Sequence, residues 1–131
     1  MKKNGILNSS ISKVLSDLGH TDQITIGDLG LPIPNQVEKI DLALKIGTPT
    51  FIEVLALFAQ EMVIEKIILA EEIKEANAEQ LKKIQTLFPE IPIKFISHEA
   101  FKKQTEVSKC IVRTGEATPY ANIILESGVL F

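Results

Sequence analysis

The chain has 131 residues, 45% hydrophobic and 24% charged, enough for one domain with a buried core that needs neither disulfide nor metal. A formal net charge of -3, with no basic stripe, argues against nucleic acid as the main partner. Cys110 is the single cysteine, so no intrachain disulfide forms. No apolar run nears the ~20 residues that span a bilayer, and the opening MKKNGILNSSISKVL lacks a signal-peptide core, so a cytoplasmic protein without membrane insertion is expected.

In chain order, Ile11, Val14, Leu15 and Leu18 recur at helical spacing and predict a helix from Asn8 to Leu18, capped by Ser9 or Ser10 and stopped by Gly19. Gln23 to Gly27 (QITIG) reads as a strand, and Gly30, Pro32 and Pro34 keep the following DLGLPIPNQ irregular. Lys39 to Lys45 alternates with Ile40, Leu42 and Leu44 on one side, which predicts a half-buried strand. Thr48-Pro49 suits a helix start, since proline at the first helical position has no amide to leave unpaired. That helix runs to about Met62 and is apolar nearly all round.

Glu65 to Ala70 predicts a strand and Ala78 to Phe88 an amphipathic helix stopped by Pro89. Ile91 to Ile96 predicts another strand, for which Pro92 implies a sheet edge or a late start. Ser97 caps a short helix through Phe101 and Lys102, and Lys109 to Arg113 and Asn122 to Leu125 supply two last strands. The chain ends on the apolar GVLF, Gly128 to Phe131. With no linker or repeat, residues 1–131 read as a single α/β domain: a mixed, mostly parallel sheet covered by helices.

Several chemistries are absent. There is no HExxH, HxH or CxxC pairing for a metal, no phosphate loop, and no GxSxG serine. Cys110 in an apolar strand reads as a buried, inert thiol, and Glu71-Glu72 and Lys82-Lys83 as solvated surface.

What remains is a set of polar groups at strand ends, where ligands gather in α/β sheets. Asp28 follows the QITIG strand, His98 follows IPIKFI, and Glu116 follows KCIVR. Singly each reads as a turn cap or a solvated side chain; together they suggest a site. Gly115 and Pro119 present Glu116, Thr118, Tyr120 and Asn122 on one loop, where tyrosine, asparagine and exposed backbone amides are neutral hydrogen-bonding groups that suit a polyhydroxylated ligand better than an anion. His20 has two readings that spacing leaves open. It either meets the last carbonyls of the first helix or shuttles protons, with Asp22 or Asp28 holding its ring.

The motifs ILNS (Ile6 to Ser9), LGHTD (Leu18 to Asp22), DLGLPIP (Asp28 to Pro34), IDLAL (Ile40 to Leu44), AEEIK (Ala70 to Lys74), HEAFK (His98 to Lys102) and VRTGEATPYANIIL (Val112 to Leu125) span the whole chain. Together they resemble the D-ribose pyranase family of bacterial sugar-ring isomerases, with fucose mutarotases as distant relatives. Leu29 departs from the resemblance, standing where alanine is usual. The resemblance implies interconversion of pyranose and furanose D-ribose without cofactor or metal. It places the catalytic histidine on His20 and substrate contacts on Asp28, His98, Tyr120, Ala121 and Asn122. It leaves Asp22, Lys102 and Glu116 without assigned roles. It further implies a ring-shaped homo-oligomer, a decamer of two stacked pentamers, with each site where subunits meet. Mutarotation of another sugar such as L-fucose, or non-catalytic ribose binding, are the alternatives.

Overall fold

Strand β1 (Gln23–Gly27) is buried along its whole length. Its side chains divide by the two-residue period of a strand. Ile24 and Ile26 enter a core of 19 residues on one face of the sheet, while Thr25 points to the other face and shares a 2.7 Å hydrogen bond with Ser108. The same alternation recurs in β3 (Ile64–Ala70), β5 (Cys110–Arg113) and β6 (Ile123–Ser127). Ile67, Leu69, Cys110, Val112, Ile123 and Leu125 face the larger core; Ile68, Ile111 and Ile124 face a smaller one around Phe101. Both faces being apolar explains why these strands read as unbroken hydrophobic runs.

A computed structural model describes residues 1–131, and in it the six strands lie in the order β2-β5-β1-β6-β3-β4. Strand β1 pairs parallel with β5, β5 with β2 (Glu38–Asp41), and β3 with β4 (Ile93–Ile96). Strand β6 alone is reversed, antiparallel to both β1 and β3. The expected mixed, mostly parallel sheet is what forms. Pro92 does precede an edge strand, β4.

Helices α1 (Ser9–Asp17), α2 (Phe51–Glu61) and α4 (Ala78–Leu87) send Ile11, Phe51, Val54, Leu55, Phe58 and Ile84 into the larger core. Helix α5 (His98–Gln104) covers the other face with Phe101. A short helix α3 (Ile73–Ala76), not foreseen from the sequence, follows β3.

Four local expectations are corrected. Asn8, not a serine, caps α1: its Oδ1 accepts from the Ile11 amide at 3.0 Å. Gly19 does not end that helix in a left-handed turn; Leu18 caps it in extended conformation, and the left-handed residue is Thr21 (φ 70°). Strand β2 stops at Asp41 because the chain then turns, bridging Lys45 to Thr48. Helix α2 begins after Thr50, not at Pro49. Thr50 Oγ1 accepts from the Glu53 amide at 3.2 Å while the Glu53 carboxylate accepts from the Thr50 amide at 2.9 Å, so a reciprocal cap overrides the proline signal.

Candidate functional site at the strand ends

Five of the six strands run the same way, so the loops after β1, β3, β4 and β5 emerge at one edge of the sheet. The approach to the reversed strand β6 arrives at that edge too, carrying Tyr120 to Asn122. Asp28, Gly30, Leu31, His98, Pro119, Tyr120 and Asn122 there line an open cleft of about 270 Å³. That volume lies just under the ~300–1,000 Å³ of drug-sized sites and suits a small ligand.

The floor of the cleft is a reciprocal pair. Asn122 Oδ1 accepts from the Asp28 amide at 2.8 Å, and Asn122 Nδ2 donates to Asp28 Oδ2 at 3.1 Å. The Gly30 amide donates to Asp28 Oδ1 at 2.9 Å. Gly27 leaves room beside this pair: a Cβ there would lie 2.7 Å from Leu31 Cδ2 and 3.1 Å from Asn122 Oδ1, so both side chains would have to shift. Burial raises the Asp28 pKa, against the lowering pull of its hydrogen bonds to Gly30 and Asn122.

His98 opens α5, and its amide donates to both carboxylate oxygens of Glu72 at 3.1 and 2.9 Å. Ser97 Oγ accepts from the Ala100 amide at 3.1 Å, the cap expected from the sequence. The His98 ring meets Tyr120 edge-on, with centroids 5.1 Å apart, and its Nδ1 is buried without a hydrogen-bond partner. Tyr120 is itself in the left-handed region (φ 56°), which a bulky residue adopts only when its surroundings hold it. Ala121 is fully buried in the larger core, so its side chain anchors the loop from behind.

Glu116 is not in the cleft but beneath its rim. Its carboxylate accepts from the Phe51 amide at 3.1 Å, the Thr118 amide at 3.3 Å and the Thr118 hydroxyl at 2.8 Å. Its carbonyl accepts from the Leu29 amide at 2.9 Å. One buried residue thus joins the start of α2 to both loops that form the cleft. Asn77 secures the same rim by donating to Thr118 Oγ1 and to the Pro119 carbonyl.

His20 lies elsewhere. It precedes β1, whereas Asp28 follows it, and five strand residues separate them by roughly 17 Å at about 3.4 Å per residue. Its Nε2 bonds Glu65, near the start of β3, while Glu72, beyond the end of β3, holds His98 at the cleft. Neither proposed carboxylate holds the His20 ring. Asp22 instead accepts from the Gly19 amide at 2.8 Å and lies 3.7 Å from Lys109. Neither Glu65 nor Glu72 is among the expected site residues, and Glu72, expected as solvated surface, instead accepts from the His98 amide. The strand-end rule that singled out Asp28 applies equally to Glu72, but nothing local marks Glu65. Lys102 pairs with Glu99 on the outside of α5. Cys110 is buried, its thiol pKa pushed up to about 12 chiefly by that burial, in keeping with an inert side chain.

An α/β domain with a polar, small-ligand cleft at its strand ends is the class that fold and site define. A family profile described as the RbsD / FucU transport protein family matches residues 1–130, and the chain belongs to that family. It is 56% identical over 131 residues, all of both chains, to D-ribose pyranase of Exiguobacterium sibiricum. It superposes on the structure of Bacillus subtilis RbsD complexed with D-ribose with a TM-score of 0.97 at 56% identity, covering all of both chains. The fucose mutarotase of Streptococcus pneumoniae in complex with L-fucose shares the fold, with a TM-score of 0.77 at 22% identity over 95% of each chain.

Replacing Glu116 with Ala leaves the buried Phe51 amide and the partly buried Thr118 amide without their acceptor, and we expect a loss of about 2 kcal/mol in urea unfolding. Unchanged stability would contradict the rim-holding role.

Proposed function

We propose that the chain is a D-ribose pyranase, an isomerase that interconverts the pyranose and furanose forms of D-ribose by acid–base ring opening and reclosure. The observation that carries this reading is the Asp28–Asn122 pair facing His98 and Tyr120 in one small cleft. It belongs to a chain that matches, over its full length, a structure holding D-ribose. Asp28 offers a carboxylate, Asn122 and Tyr120 neutral polar groups, and His98 an imidazole whose Nδ1 is unpaired: partners for hydroxyls, with no cation to select an anion.

Ring isomerisation moves one proton from the anomeric hydroxyl to the ring oxygen as the C1–O5 bond breaks and the aldehyde forms. Closure by the 4-hydroxyl then gives the furanose and returns a proton to the aldehyde oxygen. No bond to the protein forms, and no electron is gained or lost. In our reading His20 is the group that carries the proton. Asp28, His98, Tyr120, Asn122 and the main chain at Ala121 hold the open chain so that it turns before closing.

The distance between His20 and the cleft then requires a second copy of the chain. The His20 of one subunit reaches the Asp28 cleft of another, as a ring-shaped homo-oligomer such as two stacked pentamers would allow. Exposed apolar side chains support an assembly: Leu44, Ile46, Leu130 and Phe131 are each more than three-quarters exposed in the single chain. No helix is long and apolar enough to cross a membrane, and we place the enzyme in the cytoplasm, supplying ribose catabolism.

Saturation-transfer NMR of D-ribose at catalytic protein concentration tests the activity. Wild type should speed pyranose–furanose exchange, and His20→Ala should slow it about 10²–10⁴-fold with the fold intact. No acceleration by wild type would refute the assignment in favour of another sugar or of binding alone. A pH series tests the cleft. The raised Asp28 pKa means that, as pH falls, its carboxylate protonates before an ordinary aspartate would, and loses acceptor capacity. D-Ribose affinity measured by calorimetry should weaken through that range, and Asp28→Asn should remove the dependence. A flat profile for wild type would contradict Asp28 as a substrate contact.

A further inference from the structure

The surroundings of His20 are more elaborate than a surface histidine needs. Its Nε2 lies 2.9 Å from both Oε1 and Oε2 of Glu65, a residue 45 positions away. Strand β3 carries an extra residue at this point. Ile64 pairs with Ser127 and Lys66 with Glu126, so Glu65 is the bulged residue between them. Bulges re-aim side chains and favour the neighbourhood of active sites.

On the other side of the pair, Thr21 holds a left-handed φ of 70°, which a β-branched residue rarely adopts. The Thr21 amide donates to the Ser127 carbonyl at 2.9 Å, and the Ser127 amide donates to the Asp22 carbonyl at 2.8 Å. The bulge that presents Glu65 and the turn that presents His20 are therefore pinned to one residue of β6. Gly128 closes the arrangement: a Cβ there would lie 3.1 Å from Glu65 Cβ and 3.4 Å from its Oε2, so a larger side chain would crowd the carboxylate.

From this geometry we infer that Glu65 is the positioning residue of the catalytic histidine, holding the His20 proton on Nε2 and thereby making Nδ1 the atom that exchanges protons with the sugar. The inference rests on the proposed isomerase reading. A carboxylate only accepts hydrogen bonds, so a neutral imidazole facing it on Nε2 must carry its proton there. The lone pair is then on Nδ1, on the side of the ring turned away from Glu65. Nδ1 takes the proton of the anomeric hydroxyl, and the same Nδ1–H returns it to the ring oxygen as C1–O5 opens. During the interval His20 is an imidazolium, and the Glu65 charge stabilises it. Both groups are partly exposed in the single chain, and solvent screening weakens their attraction there. A second subunit packed over His20 would exclude that water and strengthen it.

Two variants and two readouts test the inference. Ring-nitrogen NMR of histidine-labelled, assembled protein should show a single Nε2–H form of neutral His20 in wild type, replaced by a mixture of both forms in Glu65→Ala. The kcat for ring-form exchange should fall about 10²-fold in Glu65→Ala, while KM for D-ribose stays within about twofold, because the cleft is untouched. Glu65→Gln, whose amide oxygen still accepts from Nε2–H, should restore the Nε2–H form and part of kcat. Wild-type kcat in Glu65→Ala, or an unchanged ring-nitrogen spectrum, would overturn the inference. So would a rise in KM equal to the fall in kcat, or no rescue by Gln. If wild type itself fails to speed exchange, the isomerase reading falls, and the ring-nitrogen spectrum still decides whether Glu65 sets the His20 proton.

Discussion

Everything functional in this molecule depends on the rigidity and burial of strand β1. Its five residues are buried between β5 and β6, with Ile24 and Ile26 packed into the larger core. A strand held in that way cannot shorten or bend, so the residues at its two ends keep a fixed separation. His20 is before it and Asp28 after it. The sheet that gathers Asp28, His98, Tyr120 and Asn122 at one edge also keeps the His20 of the same chain away from them.

The reversed strand β6 serves both ends. At its start, Asn122 locks onto Asp28 and, with Tyr120, completes the cleft. At its finish, Ser127 ties down the turn after His20 and faces the bulge that carries Glu65. A strand of like direction with its neighbours would send its leading loop to the opposite edge and could not supply Asn122 to the cleft. The single antiparallel strand is thus what allows a cleft and the His20–Glu65 pair to be built at opposite ends of one short sheet.

Much of this was legible beforehand, for identifiable reasons. The strand-end rule brought out Asp28 and His98, and the structure brings both into one cleft because five strands share a direction. Ser97 caps α5 as expected, since that signal is local and unopposed. Where two local signals competed, the simpler reading failed: Pro49 suggested a helix start, but the Thr50–Glu53 cap satisfies more amides and sets it. The separation of His20 from Asp28 was hidden because eight residues of sequence look close while a strand between them stretches to its full length. Glu65 and Glu72 were hidden for another reason. Their partners lie 45 and 26 residues away, and no neighbouring residue signals such a contact.

The central claim, that each site is completed by two copies of the chain, is tested most directly by mixing two inactive variants. His20→Ala keeps an intact cleft, and Asp28→Ala keeps an intact His20. Mixed oligomers prepared by co-expression of the two should recover ring-form exchange in about a quarter of their sites, those that pair an intact His20 with an intact cleft. Recovery to that level would establish a shared site. Mixed oligomers as inactive as either parent would show that His20 and Asp28 must act within one chain, and would contradict the account.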